Sequence, residues 1–376
     1  MKIGIVCYPT YGGSGVLATE LGMALAAKGH EIHFITYRQP FRLETISHNI
    51  SYHEVSVADY PLFEFAPYES ALTSKMVDVA RYAKLDLFNV HYAIPHASVA
   101  YMAKLILAAE GMQVPFITTL HGTDITLVGK DASYEPIVTF AINHSDGVTA
   151  VSLSLKDDTL RNFRINKEIE VIPNFIDLKR FSKKSKGHFR TAIAPLGEKL
   201  IVHTSNFRKV KRIEDVIRVF ARVQQSVPSK LLLIGDGPER SNIEKLCRET
   251  DCFEHIRFLG KIEAVEEVLS VCDLFLLTSE TESFGLASLE AMACQIPVIS
   301  TNTGGSPEVN VNGVTGFMSP VGDVEDMAKN AVYILSDEKR LAEFKSNALM
   351  QARKFDILQI LPLYESYYMK ILEQKK

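Results

Sequence analysis

Glu282 and Glu290 stand eight residues apart in the stretch Glu282-Ser-Phe-Gly-Leu-Ala-Ser-Leu-Glu290. An apolar run, Asp273-Leu-Phe-Leu-Leu277, and a polar loop, Thr278-Ser-Glu-Thr281, come before it. Residues 285–294, rich in Leu, Ala, Met and Glu, follow. This order reads as buried strand, loop and helix. One carboxylate then sits on the loop and the other inside the helix, roughly 10–12 Å apart along the axis if most of the interval is helical. Such spacing suits the two ends of one polar ligand better than a shared proton. Between them, the free backbone N–H groups of Phe284, Gly285 and Leu286 at the helix start favour phosphate. The chemistry expected is a cradle for a phosphorylated, hydroxyl-rich ligand.

Basic residues lie in the same half of the chain. Thr204-Ser-Asn-Phe-Arg-Lys-Val-Lys-Arg212 falls between a strand and its helix, so Asn206, Arg208 and Lys211 are placed to meet a diphosphate. A solvated basic loop explains this segment equally well by itself; beside the two glutamates, the functional reading overtakes it. Gly235-Asp-Gly237-Pro238 and Phe258-Leu-Gly-Lys261 close further strands and offer backbone groups, with Gly235 and Lys261, to wall a base pocket. In Gly304-Gly305-Ser-Pro-Glu308 the glycines fit loop structure or ligand approach, while Gly313 and Gly316 read as structural.

In the first half, Pro9-Thr-Tyr-Gly-Gly-Ser-Gly15 joins a strand to a helix, and its glycines admit an anion to the backbone at Ser14 and Gly15. A purely structural tight turn fits as well. A dinucleotide site fits poorly, because the glycines run GGxG and the second strand leads into Tyr37-Arg38 rather than an acidic residue. His91-Tyr-Ala-Ile-Pro-His96 and Leu120-His-Gly-Thr-Asp124 each follow a strand end. A lone His there is usually a packed polar residue, but two consecutive strand ends with His and Tyr point to a site, His121 foremost. The chain has no HExxH, no Cys/His ligand cluster and no DxD pair, so neither a metal nor another cofactor is expected.

These residues need scaffolds. At 376 residues, with 47% hydrophobic and 23% charged, the chain is long enough for two cores. A net charge of −4 argues against general nucleic-acid binding. No apolar stretch approaches a transmembrane length, and the opening run, ended by Pro9 and Gly12, is not read as a signal peptide. Five cysteines without a CxxC pair suggest buried thiols in a reducing cytoplasm.

Strands are expected at 2–7, 31–36, 87–90, 114–118 and 147–151, alternating with helices at 16–28, 98–109 and 134–143. The rhythm restarts with strands at 199–204, 230–234, 256–259, 273–277 and 297–300. The tail, 327–376, reads as helical with breaks near Ser336 and Pro362. This is an α/β chain of two doubly wound Rossmann-like domains, with ligands in a cleft at the carboxyl ends of the strands. The boundaries expected are 1–178, a basic linker 179–190, 191–356, and a terminal helix 357–376 returning to the first domain. In the linker six of twelve residues are Lys or Arg. It reads as a solvated charge run, with a membrane-surface patch as the minority reading.

Together these motifs resemble the retaining two-Rossmann-domain (GT-B, family 4) glycosyltransferases. Glu282-x7-Glu290, the glycine-rich first turn, GDGP, His121-Gly122 and TGGxPE occur in that family's order across nearly the whole chain. The resemblance implies that Glu290 binds the ribose of UDP, Glu282 the donor sugar's 3-hydroxyl, and Lys211 the diphosphate. It implies that the amides of Gly15 and of Phe284, Gly285 and Leu286 neutralise the leaving phosphate, and that His121 positions the sugar. Asn206 stands where the family carries Arg, and Arg208 is expected to supply the charge. SNFRxVKR, HYAIPHA and LHGTDITLVG resemble the branch that transfers GlcNAc from UDP-GlcNAc to the hydroxyl of L-malate at the start of bacillithiol biosynthesis. For that acceptor, Ser14, Arg38, Tyr92, Thr118 and Thr119 are the candidates, although Arg38 fits a surface position too. The remaining readings are a lipid or polysaccharide hexosyltransferase and a UDP-GlcNAc epimerase or hydrolase. A homodimer is the assembly considered.

Overall fold

The computed structural model describes residues 1–10, 13–43, 47–57, 65–127, 131–183 and 187–374. Tyr11 and Gly12 of the first turn, Val128 and Gly129 of LHGTDITLVG, residues 184–186 of the basic run, and Lys375 and Lys376 lie outside them. The chain divides into two compact units, 1–174 with 357–376, and 175–356.

In the first unit the order is β1 (Lys2–Val6), α1 (Ser14–Ala27), β2 (Glu31–Thr36), β3 (Ile50–Glu54), α2 (Tyr68–Ala83), β4 (Leu87–His91), α3 (Ser98–Ala109), β5 (Phe116–Leu120), α4 (Glu135–His144), β6 (Gly147–Ala150), α5 (Leu153–Asn162) and β7 (Ile169–Val171). They form a parallel sheet ordered β3-β2-β1-β4-β5-β6-β7. The second unit runs α6 (Gly187–Ile193), β8 (Lys199–Ser205), α7 (Ile213–Gln224), β9 (Ser229–Gly235), α8 (Arg240–Arg248), β10 (Ile256–Gly260), α9 (Val265–Leu269), β11 (Leu274–Leu277), α10 (Leu286–Ala293), β12 (Val298–Thr301), α11 (Ser306–Val309), β13 (Gly316–Ser319), α12 (Val324–Leu335) and α13 (Glu338–Ala352). Its parallel sheet is ordered β10-β9-β8-β11-β12-β13. The last helix, α14 (Ile357–Glu373), belongs to the first unit.

Central strands such as Leu274–Leu277 are buried end to end because helices cover both faces of a parallel sheet. Ile213, Val216, Ile217, Phe220 and Val223 give α7 one apolar face, packed with Ile201, Leu231, Leu233 and Met327 into the second unit's core. Each sheet reverses its winding between two neighbours, β1 and β4 in the first and β8 and β11 in the second. In open parallel sheets this reversal, at the carboxyl ends of the strands, is where ligands generally bind.

Several expectations shift. The strands absent from the sequence reading, β3, β7 and β13, are edge strands, and the half-exposed pattern of β3 lacks the buried run that reveals a central strand. Pro362 does not break the tail. It lies within α14, whose buried Ile360, Leu361, Tyr364, Tyr367, Tyr368 and Ile371 hold the helix through the proline. The break falls instead at the short turn Arg353–Phe355. Tyr367 fixes α14 by donating from Oη to the Val148 carbonyl at 3.1 Å and accepting the Val148 N–H at 2.9 Å.

The basic run is not wholly solvated, since its end forms α6. There Arg190 Nη2 lies 2.7 Å from the buried carboxylate of Asp273, which Lys345 also meets at 2.7 Å. Burial opposes ionisation of Asp273, but the two cations hold its carboxyl below the usual range. Among the described residues no helix is long and apolar enough to cross a membrane.

Candidate active site

In the second unit, two loops leave the reversal point of the sheet. The first, 206–212, follows β8, and the second, 278–285, follows β11. Thr278 Oγ1 donates to the carbonyls of Lys211 and Arg212 at 2.9 Å each, and the Glu280 N–H donates to the Val210 carbonyl at 2.8 Å. Two segments 66 to 70 residues apart in sequence are thereby fixed as one surface. On it, Lys211 Nζ lies 2.5 Å from Glu282 Oε1, and Ser279 Oγ donates to the same oxygen at 2.7 Å. Both side chains are mostly buried, at 21% and 12% exposed. One carboxylate oxygen is thus anchored twice.

The helix start differs from the expectation. Helix α10 begins at Leu286, with Gly285 as its N-cap at φ 90° and no side-chain cap. The open amides of the helix start are therefore those of Gly285, Leu286, Ala287 and Ser288. Phe284 precedes the cap and is buried, its ring 5.6 Å from that of Phe355 in an edge-on contact. Only the four steps from Leu286 to half-buried Glu290 are helical, about 6 Å of rise, and the rest of the interval is loop.

Glycines press the neighbouring loops against this surface. A Cβ at Gly304 would fall 1.9 Å from the Glu282 carbonyl oxygen, and one at Gly305 2.4 Å from that of Ser283. The Gly305 N–H donates to the Glu282 carbonyl at 2.8 Å. The TGG motif thus acts as the support on which Glu282 rests. Gly235 serves the other loop: a Cβ there would fall 1.8 Å from the Ser205 carbonyl oxygen. Asn206, Arg208 and Lys261 are exposed.

Beneath the site His203 is fully buried, its Nδ1–H donating to the Leu276 carbonyl at 2.9 Å and Nε2 accepting from Ser205 Oγ at 2.8 Å. Burial lowers its pKa to about 4. Sequence reasoning missed Ser279, Thr278 and His203. A serine or threonine in a polar loop and a histidine inside a strand give no periodic signal, and only the pairing of β8 with β11 brings Thr278 to the Lys211 and Arg212 carbonyls and His203 to the Leu276 carbonyl.

The first unit repeats the pattern at its own reversal point. Ser14 opens α1 after β1, Tyr92 follows β4, and their hydroxyls are 2.5 Å apart. Tyr92 has φ 82°, a conformation uncommon outside glycine. Asp124 ties the two His-bearing loops together, accepting from the Ala93 N–H at 2.7 Å and the Gly122 N–H at 3.1 Å. Burial raises the Asp124 carboxyl to about 6. His121 Nε2 lies 2.7 Å from Nδ1 of buried His91, and the Tyr92 ring is 5.2 Å from the His121 ring. Burial lowers His121 to about 3, which keeps it neutral.

Gly15 is packed under the turn, where a Cβ would lie 2.4 Å from the Tyr8 carbonyl oxygen. Its absent side chain serves that packing. Two acceptor candidates are corrected. Thr118 and Thr119 are fully buried, and their hydroxyls serve the sheet: Thr118 meets Ser145 Oγ at 2.8 Å, while Thr119 accepts from Asn89 at 3.1 Å and Thr149 at 3.0 Å. Arg38 is exposed, with its guanidinium 5.6 Å from the Tyr37 ring centre.

Comparison with known proteins agrees with this geometry. Residues 11–180 match the model described as Glycosyltransferase Family 4, and 186–351 the one described as Glycosyl transferases group 1. The chain is 46% identical over 382 aligned positions to the N-acetyl-alpha-D-glucosaminyl L-malate synthase of Bacillus anthracis, covering 100% of this chain and 98% of that one. Among solved structures, sucrose-phosphate synthase from Thermosynechococcus elongatus superposes with TM-score 0.82 at 21% identity, covering 99% of each chain. Anabaena HepE in complex with UDP-glucose also gives 0.82 at 21% identity, covering 98% and 100%. The two sheets, their loops at the reversal points and the full-length identity lead to one conclusion: the chain belongs to the two-domain GT-B glycosyltransferases and is an enzyme of that family.

Proposed function

We propose that this enzyme transfers GlcNAc from UDP-GlcNAc to the hydroxyl of L-malate with retention, the first step of bacillithiol biosynthesis. The observation that carries the reading is the 46% identity over the whole chain to a relative whose name joins the N-acetylglucosaminyl group to L-malate. The donor binds the second unit. Its diphosphate takes the open amides of α10 and the Lys211 ammonium, assisted by Arg208, and its ribose takes Glu290. Glu282 accepts a sugar hydroxyl through Oε2. Because Oε1 is already held by Lys211 and Ser279, the carboxylate orients the sugar and does not attack it.

The C1–O bond to the diphosphate breaks as the malate oxygen bonds to C1 on the same face. The malate hydroxyl proton passes to the departing phosphate, and positive charge and amide dipoles stabilise the charge that develops. In the first unit, Ser14 and Tyr92 offer hydroxyls to the acceptor, Arg38 a cation for its carboxylates, and neutral His121 a hydrogen bond to substrate. Lys211 and Arg208 supply the charge that a metal supplies elsewhere, so the reaction is read as metal-independent; activity abolished by EDTA and restored by Mg²⁺ would contradict it. Five free, buried cysteines support a cytoplasmic location.

The test is UDP release from UDP-GlcNAc across an acceptor panel. Stimulation by L-malate alone supports the reading. Release without any acceptor would favour a hydrolase or epimerase, and stimulation only by lipid or glycan acceptors would favour a different hexosyltransferase.

A further inference from the structure

His91 ends β4 and is buried at 1% exposure, while His121, just past β5, is half-buried. Their rings are stacked with centroids 5.0 Å apart, and His91 Nδ1 is 2.7 Å from His121 Nε2. Both rings are neutral, because burial pushes their pKa values down. One nitrogen of the pair must therefore donate and the other accept.

The far side of His91 decides which. Its Nε2 is buried and has no hydrogen-bond partner. A proton there would leave a buried N–H unbonded, which folded proteins avoid more strictly than a bare acceptor. Next door, His96 obeys the same rule. Its Nδ1 lies 2.5 Å from the His91 carbonyl, which can only accept, so the proton is on Nδ1 and the unpartnered Nε2 is a lone pair. By the same logic His91 carries its proton on Nδ1 and donates it to His121 Nε2. Neutral His121 must then carry its own proton on Nδ1.

We infer that His91 is a positioning residue that locks His121 in its Nδ1–H tautomer, so that His121 presents a hydrogen-bond donor to a substrate oxygen and no free base. His121 therefore takes no proton from the acceptor hydroxyl, which leaves that task to the departing phosphate. The inference rests on the reading, proposed above, that His121 meets substrate.

The test uses the full-length protein labelled with ¹⁵N-histidine, whose nitrogen shifts report tautomers directly. His121 is expected to be protonated at Nδ1; a proton on Nε2 overturns the inference. His91→Asn keeps an amide donor where Nδ1 stood, and should retain turnover within a few-fold and leave the His121 tautomer unchanged. His91→Leu fills the space without donating. It should lower kcat by about 10- to 100-fold, the usual scale for losing a group that orients a working histidine, with the KM for UDP-GlcNAc nearly unchanged and a mixed tautomer at His121. Unaltered kcat in a folded His91→Leu protein also overturns the inference. If that variant does not fold, the wild-type and His91→Asn spectra still decide. A His121→Ala variant separates the two claims: normal turnover there removes the substrate role of His121, while the tautomer result stands or falls on the spectra.

Discussion

Lys211 and Glu282 form an ion pair, 2.5 Å from Nζ to Oε1, that bridges the two strands at which the second sheet reverses its winding. Ser14 and Tyr92 bridge the equivalent strands of the first sheet through their hydroxyls. In each unit, therefore, the sequence loops that carry the candidate chemistry meet where an open parallel sheet leaves a crevice.

Glu282→Gln keeps the shape of the side chain but loses its charge and weakens its link to Lys211. Turnover should fall by about 2–4 kcal/mol in transition-state stabilisation, roughly 30- to 1000-fold. UDP affinity by calorimetry should stay near the parent value. Ser279→Ala removes one of two anchors on Oε1 and should give a smaller loss, on the order of 0.5–1.5 kcal/mol. Equal losses in both variants would contradict the assignment of Oε2 to the sugar.

Gly304→Ala places a methyl group against the Glu282 carbonyl at a residue with φ 58°. Thermal melts should show destabilisation of about 1–3 kcal/mol, together with lost turnover. Gly313 also has positive φ, 75°, but nothing lies within 4 Å of its Cβ position. Gly313→Ala should lower stability by about 1 kcal/mol and leave turnover intact. Parallel effects at both glycines would mean that Gly304 supports the fold without supporting Glu282.

Tyr92→Phe and Ser14→Ala remove the two ends of one hydrogen bond. Each should raise the KM for the acceptor and leave the KM for UDP-GlcNAc nearly unchanged. Their effects should couple by about 0.5–1.5 kcal/mol in a double-mutant cycle. Strict additivity would dissolve the pair.

The pH dependence of stability follows from buried histidines. His96 and His203 are lowered to about 4 and His121 to about 3, and His91 is also lowered, all by burial. Each stays neutral when folded and binds a proton when unfolded, so its contribution is present above pH 6.5 and is lost as pH falls. Asp124, raised to about 6, acts in the opposite sense between pH 6 and pH 3.8. At pH 5 these groups together should take up about two to three protons on unfolding. Melting temperatures should fall from pH 6.5 toward pH 4.5, and a flat profile would contradict the neutral-histidine arrangement.

The strand, polar loop and helix that carry Glu282 and Glu290 were legible because they follow local rules, with no need for distant contacts. The helix start was misread by one or two residues because Gly285 in the left-handed region marks the cap and no capping side chain advertises it. Thr118 and Thr119 misled for a different reason. Residues at the end of a buried strand alternate between its faces, and periodicity alone does not separate a crevice from the interior. Ser279 was silent in the sequence because a serine in a polar loop gives no periodic signal, although its partner Glu282 lies only three residues away.

The central claim is most directly tested by the product. Incubation of the purified enzyme with UDP-GlcNAc and L-malate, followed by NMR of the anomeric proton, should show the α-linked GlcNAc glycoside of malate formed one-for-one with UDP. A β-linked product, or UDP release that does not depend on malate, would contradict it.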